Sequence, residues 1–230
     1  MNGSSLYSDP VFGVCVTFAA YAAALLVRRR VPRLHPLITA PVLVYALLQL
    51  GRIDYTDYKV GGDMVAFFLG PATVALAIPL YKQAMRLKPV LPSLLLGALV
   101  GSALGLAVNA LCVIALGGTE ELLRSSLPKS VTAAVSVELS RWLGGSPEFT
   151  AALTVMTGLF GSVAGPVLLR LAGVHDRVAA SIAIGAAAHG IGSAKLLADS
   201  QEEGGVSGFS MAACAVFTPV LLLPFHWFIL

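Results

Sequence analysis

The stretch LPSLLLGALVGSALGLAVNALCVIAL, Leu91–Leu116, contains no charged residue and a single side-chain amide, Asn109. A bilayer crossing takes roughly 20 consecutive apolar residues, so this run is long enough to span. Gly97, Gly101 and Gly105 recur at every fourth position along it, a ridge of small residues that lets a neighbouring helix approach closely. The remainder of the chain has the same character: of 230 residues, 57% are hydrophobic and 12% charged, with a mean hydropathy of +0.85. A soluble domain carries about a quarter charged residues, so this chain lacks the polar surface of a water-facing globule. At about 25 to 30 residues per crossing with its connection, seven or eight spans use the whole length. The expected fold is a single all-α integral membrane domain over residues 1–230, surrounded by lipid, with no room for a separate soluble or nucleic-acid-binding module.

The net charge of +3 speaks to topology. Lys and Arg sit in clusters at the ends of apolar runs, the mark of cytoplasmic loops. No Lys or Arg occurs in the first ten residues, whereas Arg28, Arg29, Arg30 and Arg33 follow the first apolar run. A cleavable signal carries its positive charge ahead of the run, so an uncleaved first span is expected, with the N-terminus outside the plasma (inner) membrane. Cys15, Cys112 and Cys214 lie within apolar stretches as small hydrophobes. Their spacing suggests neither disulfide nor metal site, and no cofactor is expected. There is no nucleophile elbow, HExxH or phosphate loop to support an enzyme.

Spans are read at Val11–Val27, Leu37–Leu50, Gly61–Tyr81, Leu91–Leu116, Phe149–Leu171, Arg177–Leu197 and Gly208–Leu230, with Arg52, Asp54, Asp57 and Lys59 in a polar loop. Gly70-Pro71 interrupts the third, because proline lacks an N–H and clashes with the preceding turn. His189-Gly190-Ile191-Gly192 interrupts the sixth. Pro128–Leu143 is ambiguous: it is either a thin or tilted span or a re-entrant helix. The positive-inside rule does not choose, since nine of the 15 Lys and Arg fall inside either way. Re-entry orients the broken helices at Pro71 and Gly190 oppositely, as an inverted repeat requires, and mechanism favours that version. The echo between Pro71-Ala72-Thr73-Val74 and Pro128-Lys129-Ser130-Val131 is too short to outweigh chance.

Asp63, Lys129, Glu138, Arg141, Lys195 and His189 lie in or beside apolar segments. An ionisable group at membrane depth costs several kcal/mol and so tends to face a cavity or a partner. Pro128 fits the first turn of a helix. Lys129, the backbone amides of Ser130 and Val131, and the hydroxyls of Ser130 and Thr132 would then form a carboxylate cradle at its positive end. The bland alternative has Lys129 snorkelling to the interface or pairing with Glu120 or Glu121. The Gly70-Pro71 break offers a second free helix start with Thr73 as hydroxyl donor, or it is an ordinary kink. At the third break Ser193 would cap a half-helix holding Lys195. His189 there would bind a carboxylate or move a proton, unless a backbone carbonyl simply satisfies it. Glu138 and Arg141 share a helix face and read as a structural pair, with proton or cation binding by Glu138 as the sharper alternative. Asp63 reads as interfacial.

These strings resemble the LrgB/CidB family, also called holin-like or antiholin-like, whose eukaryotic relative is the plastid glycolate/glycerate translocator. The resemblance rests on Gly61-Gly62, the stretch Leu69-Gly70-Pro71-Ala72-Thr73 through Lys82, Leu127-Pro128-Lys129-Ser130-Val131-Thr132, Glu138, Leu153–Gly158, Gly165-Pro166 and Ala188-His189-Gly190-Ile191-Gly192-Ser193-Ala194. Two departures are small: Ser193 stands where the family usually has Thr, and Ala133-Ala134-Val135 where it often has Pro-Ile-Ala. The resemblance implies either a carrier of small 2-hydroxy or 2-oxo monocarboxylates such as glycolate, glycerate or pyruvate, or a regulator of murein hydrolases and lysis. It also implies a small LrgA-type membrane partner, and a homo-oligomer is compatible with both activities. On the carrier reading Thr73, Lys129, Ser130, Thr132, His189 and Ser193 bind substrate. Asp63, Glu138 and His189 are then the candidates for proton or sodium coupling.

Overall fold

The computed structural model describes residues 7–31, 34, 36–68, 71, 74 and 87–229, with side chains to 224. The described residues form helices and no strand: α1 (Pro10–Arg30), α2 (Pro36–Gly51), α3 (Tyr55–Phe67), α4 (Leu91–Ala115), α5 (Glu120–Ser126), α6 (Ala133–Leu143), α7 (Pro147–Leu171), α8 (Arg177–Asp199) and α9 (Gln201–Ile229). Among the described residues, five helical stretches are long and apolar enough to cross a bilayer: Pro10–Arg30, Lys88–Ala115, Pro147–Leu171, Arg177–Asp199 and Gln201–Pro224. The chain is a multi-pass membrane protein, in two compact units covering residues 1–75 and 76–230.

In the first unit, Asp9 caps α1 through the amide of Val11, and the basic triplet Arg28–Arg30 falls in its last turn, where cations suit the helix dipole. Asp54 caps α3 at the amide of Thr56, 3.0 Å away, so Asp57 and Lys59 belong to this helix and not to a loop. The capping carboxylate supplies the helix start that hydropathy alone does not mark. Backbones of α1 and α3 touch where Gly13 meets Gly61: a Cβ on Gly61 would lie 2.2 Å from the Pro10 carbonyl oxygen and 2.6 Å from Gly13 Cα. Only glycine fits such a crossing.

The interior of the second unit mixes large apolar residues, such as Leu94, Leu127 and Leu222, with many small polar ones, and large apolar residues also cover its exterior. Ser136, Ser140, Thr150, Thr154, Ser181, Ser207 and Ser210 are buried, whereas Leu104, Leu111, Ile114, Phe160, Val163 and Leu171 are exposed. Lipid is as apolar as leucine, so close packing of small residues and interhelical hydrogen bonds hold such helices together. Helices α8 and α9 pack face to face: Ser210 Oγ donates to the Ile182 carbonyl at 2.9 Å, and a Cβ on Gly185 would meet the Ser207 carbonyl oxygen at 2.2 Å. Helix α9 begins at Gln201, seven residues ahead of the apolar run at Gly208, because Ser200 ends α8 and Glu202 and Glu203 occupy the first turn of α9. Acidic residues there complement the positive helix end.

Pro128–Leu143 does not form one helix. A short 3₁₀ turn, Leu127–Ser130, separates α5 from α6. The 11 residues of α6 cover about 16 Å at 1.5 Å per residue, about half of the ~30 Å hydrocarbon core. The chain also comes back to where it started: Arg124 Nη1 donates to the Leu143 carbonyl at 3.2 Å, and the Ser146 amide to Ser125 Oγ at 2.8 Å. Residues 120–146 therefore form a helical hairpin with its tip at 127–132.

Candidate functional site

A cleft of about 610 Å³ runs between α4 and α8, bounded by the glycine ridge of α4 and by Ala179, Ala183, Ala186 and Ala187 of α8, with Ser130 from the hairpin tip and Thr157 from α7 among its lining residues. The volume lies within the roughly 300–1,000 Å³ of small-molecule sites. The ridge packs closely only at one point, where a Cβ on Gly97 would meet Ile182 Cγ2 at 2.9 Å; at Gly105 the nearest atom is Ser130 Oγ at 3.8 Å. Small residues thus leave space here, and the hydroxyls lining that space are those of Ser93 on α4, Ser130 at the hairpin tip and Thr157 on α7.

Lys129 lies in the 3₁₀ turn and not at the start of a long helix, since α6 begins only at Ala133 with Thr132 as its cap residue. The carboxylate cradle expected at the Pro128 turn is accordingly corrected. The Val131 amide is turned back to the Pro128 carbonyl at 3.4 Å, whereas Thr132 Oγ1, which makes no capping bond, is buried without a partner among the described residues. The half-buried Lys129 ammonium donates to Asn109 Oδ1. Neither glutamate alternative holds it: Glu120 is bound to Arg124, and among the described residues no carboxylate pairs with Lys129.

The break in α8 falls at His189, whose φ of 36° and ψ of −129° are non-helical. This is a conformation that side-chain-bearing residues adopt at a cost of about 1–3 kcal/mol. His189 is 3% exposed, and its Nε2 has no hydrogen-bond partner among the described residues, so the bland alternative of a carbonyl satisfying that atom does not apply. Its ring lies against α7 at Gly158, where an added Cβ would meet His189 Cε1 at 2.7 Å. Ala186 and Ala187, which line the cleft, immediately precede the break. Ser193 does not cap a half-helix. It lies in the helical segment after His189, buried, with its Oγ 2.8 Å from Ser207 Oγ of α9, and Lys195 Nζ donates to the Ser162 carbonyl at 2.8 Å.

The acidic candidates are each paired with a cation on their own helix. Asp63 is exposed on α3 and paired with Lys59 at 3.2 Å. Glu138 is exposed on α6 and paired with Arg141. Gly70 and Thr73 lie outside the described residues. Sequence reasoning noted Asn109, and Thr157 and Gly158 within the Leu153–Gly158 stretch, but gave none of them a role; for Asn109 the signal was a lone amide in an otherwise apolar run.

A buried hydroxyl ladder anchors the hairpin to α7. Thr150 Oγ1 lies 2.7 Å from both the Ser125 carbonyl oxygen and Ser140 Oγ, and Thr154 Oγ1 is 3.0 Å from Ser136 Oγ. Thr150, Thr154 and Gly158 follow one another at helical spacing, so the same face of α7 that grips the hairpin also meets His189.

The model of the LrgB-like family matches residues 17–228. The protein YxaC of Bacillus subtilis (strain 168), named as uncharacterized, is 34% identical over 219 residues, 93% of this chain and 95% of its own length. YwbG of the same organism, also named as uncharacterized, is 34% identical over 210 residues, 90% and 93% of the two chains. The antiholin-like protein LrgB of Bacillus mycoides (strain KBAB4) is 30% identical over 223 residues, 96% of this chain and 97% of that one. No solved structure matches the chain. With a family model matched over nearly its whole length and relatives covered almost end to end, the chain belongs to the LrgB-like family.

Proposed function

We propose that the protein is a carrier for small 2-hydroxy or 2-oxo monocarboxylates, of the glycolate, glycerate or pyruvate class. The observation that carries this reading is the Lys129 ammonium: half-buried, beside the cleft-lining Ser130, and hydrogen-bonded to a neutral amide instead of a carboxylate. A cation whose charge is not cancelled at membrane depth favours an anion beside it. Lys129 takes the substrate carboxylate. Ser130, Thr132 and Thr157 present hydroxyls to its second oxygen function, with Thr73 and Ser193 as further binding candidates from the breaks. His189 binds or relays a proton at the break in α8, and Asp63 and Glu138 remain candidates for proton or sodium coupling.

The wider arrangement goes with this reading. Residues 1–230 form one domain with seven crossings: the five long helices, α2, and the segment that opens with α3. The 120–146 hairpin re-enters, the N-terminus of the chain lies outside the plasma membrane, and the breaks at Pro71 and His189 are related as an inverted repeat. The carrier works as a homo-oligomer or with a small LrgA-type partner, and without a cofactor.

In the test, purified protein in liposomes takes up labelled glycolate or pyruvate saturably, and Lys129→Ala abolishes the uptake. Undiminished uptake by that variant removes Lys129 from the site. The names of the antiholin-like relatives favour a second reading, a regulator of murein hydrolases and lysis. Leakage of encapsulated dyes regardless of size, with no saturable flux, decides for it.

A further inference from the structure

We propose that Asn109 is the positioning and specificity-determining residue of this site: it holds the Lys129 ammonium through a neutral carbonyl oxygen, fixing the charge in place without cancelling it, so that the site takes a monoanion. The inference rests on the reading of Lys129 as the carboxylate-binding cation. Asn109 is buried in α4. Its Oδ1 accepts from Lys129 Nζ, and its Nδ2 donates to Ser126 Oγ at 2.9 Å. Ser126 Oγ donates in turn to the Leu123 carbonyl at 3.2 Å. The amide thus uses its acceptor on the lysine and its donor on the last turn of α5, joining α4, α5 and the hairpin tip through one side chain. An ammonium has three donors and no acceptor, so two N–H groups remain for a ligand.

The choice of amide over carboxylate is what separates a binding role from a structural one. The side chains of aspartate and asparagine have nearly the same shape. An aspartate would accept from Lys129 more strongly than the amide does, and could accept from the Ser126 hydroxyl once that rotated. If Asn109 served only to pin the hairpin to α4, aspartate would serve as well or better. If its purpose is to leave one positive charge uncompensated, aspartate defeats it. Lys59, Arg124, Arg141 and Arg177 pair with carboxylates, whereas two lysines are held by neutral oxygens, Lys195 by the Ser162 carbonyl and Lys129 by the Asn109 amide. Of these two, Lys129 is the one next to a cleft-lining residue, Ser130.

The experiment is glycolate uptake into proteoliposomes by wild type, Lys129→Ala, Asn109→Asp, Asn109→Thr and Asn109→Leu, with thermal melts as the check on folding. Asn109→Asp is expected to fold and to melt no lower than wild type, with KM raised about tenfold or more, the scale of one charge-assisted hydrogen bond, and kcat nearly unchanged. Asn109→Thr, neutral and still an acceptor, stays close to the wild-type KM. A wild-type KM in Asn109→Asp alongside an inactive Lys129→Ala overturns the role of Asn109 and leaves the carrier reading standing. Equal impairment in the Asp and Thr variants also overturns it, since packing then explains both. If Asn109→Asp does not fold, Asn109→Leu decides: the ammonium stays charged but unheld, KM rises by a similar factor, and an unchanged KM overturns the proposal. Wild-type uptake by Lys129→Ala, or none by the wild-type protein, brings down the reading on which the inference rests.

Discussion

Replacing Gly158 with alanine tests whether the His189 ring lies where the break in α8 puts it. The new Cβ would lie 2.7 Å from His189 Cε1, 2.9 Å from Ile191 Cδ1 and 3.3 Å from the Ala188 carbonyl oxygen. Carbon atoms prefer 3.5–4.0 Å, so the first two contacts overlap by about 1 Å or less. The end of Ile191 can turn away. The histidine has less freedom, being buried and attached to a backbone already outside the helical region. Overpacking of this kind costs about 1–3 kcal/mol, and the higher helix propensity of alanine returns up to about 1 kcal/mol. A net loss of about 1–2 kcal/mol lowers the ratio of folded to unfolded protein roughly 5- to 30-fold. Reversible unfolding by SDS in mixed micelles reads this out. Gly208→Ala is the matched control, because nothing lies within 4 Å of its added Cβ, and it is expected to be neutral or stabilising. Equal stability of the two variants would mean that the ring is not seated on Gly158 and that the geometry assigned to the break is wrong.

The hydroxyl ladder and the cap of α3 give two further expectations. Thr150→Val leaves the Ser125 carbonyl and Ser140 Oγ without their 2.7 Å partner and destabilises the protein by about 1–3 kcal/mol in the same assay, whereas Thr150→Ser restores most of the loss; an unaffected valine variant means the ladder does not hold the hairpin. The Thr56 amide, and then its hydroxyl, hold the Asp54 carboxyl below its ordinary value, so the cap contributes above the normal carboxylate range and is lost as pH falls through the lowered folded value. Protection of the Thr56 amide, measured as its exchange rate relative to the intrinsic rate at the same pH, should therefore fall in acid and, at neutral pH, in Asp54→Ala but not Asp54→Asn; protection that ignores both acid and the alanine refutes the cap.

Features carried by local chemistry were legible in the sequence. The Leu91–Leu116 run shows its length and its lack of charge directly, and α4 follows it to within a residue. His189-Gly190 marks a break because glycine weakens a helix and histidine is costly in an apolar one, and the break falls at His189. What escaped depends on distant partners. Pro128–Leu143 has the composition of a short span, and only the return of Leu143 and Ser146 to Arg124 and Ser125 makes it a hairpin. Ser193 follows the break as a capping serine would, but its partner Ser207 lies on another helix. Asn109 shows in the sequence as an anomaly, yet its meaning comes from Lys129, twenty positions on.

The polar atoms left without partners sharpen where the chemistry should be sought. Most buried hydroxyls in the second unit have a partner within 3.2 Å: those of Ser136, Thr150, Thr154 and Ser162 bond to a carbonyl of their own helix or to a neighbouring hydroxyl, and those of Ser193, Ser207 and Ser210 bond between helices. Such groups cost little to bury. Among the described residues Ser102 Oγ, Thr132 Oγ1 and His189 Nε2 have no such partner, and each unmet group of this kind costs about 1–3 kcal/mol. Ser102 lies within α4, whereas Thr132 lies at the hairpin tip and His189 at the break in α8, two segments that contribute to or adjoin the cleft. A chain selected only to fill the bilayer with apolar helices could carry valine and leucine at these two positions and gain stability. Keeping a threonine and a histidine there, with an uncancelled lysine three residues before the threonine, is costly for a passive helical pore. The same three groups are what a site for a small carboxylate requires, namely a cation, a hydroxyl and a titratable ring. On that ground the carrier reading stands ahead of the regulator: it uses the groups that the pore leaves as a net expense.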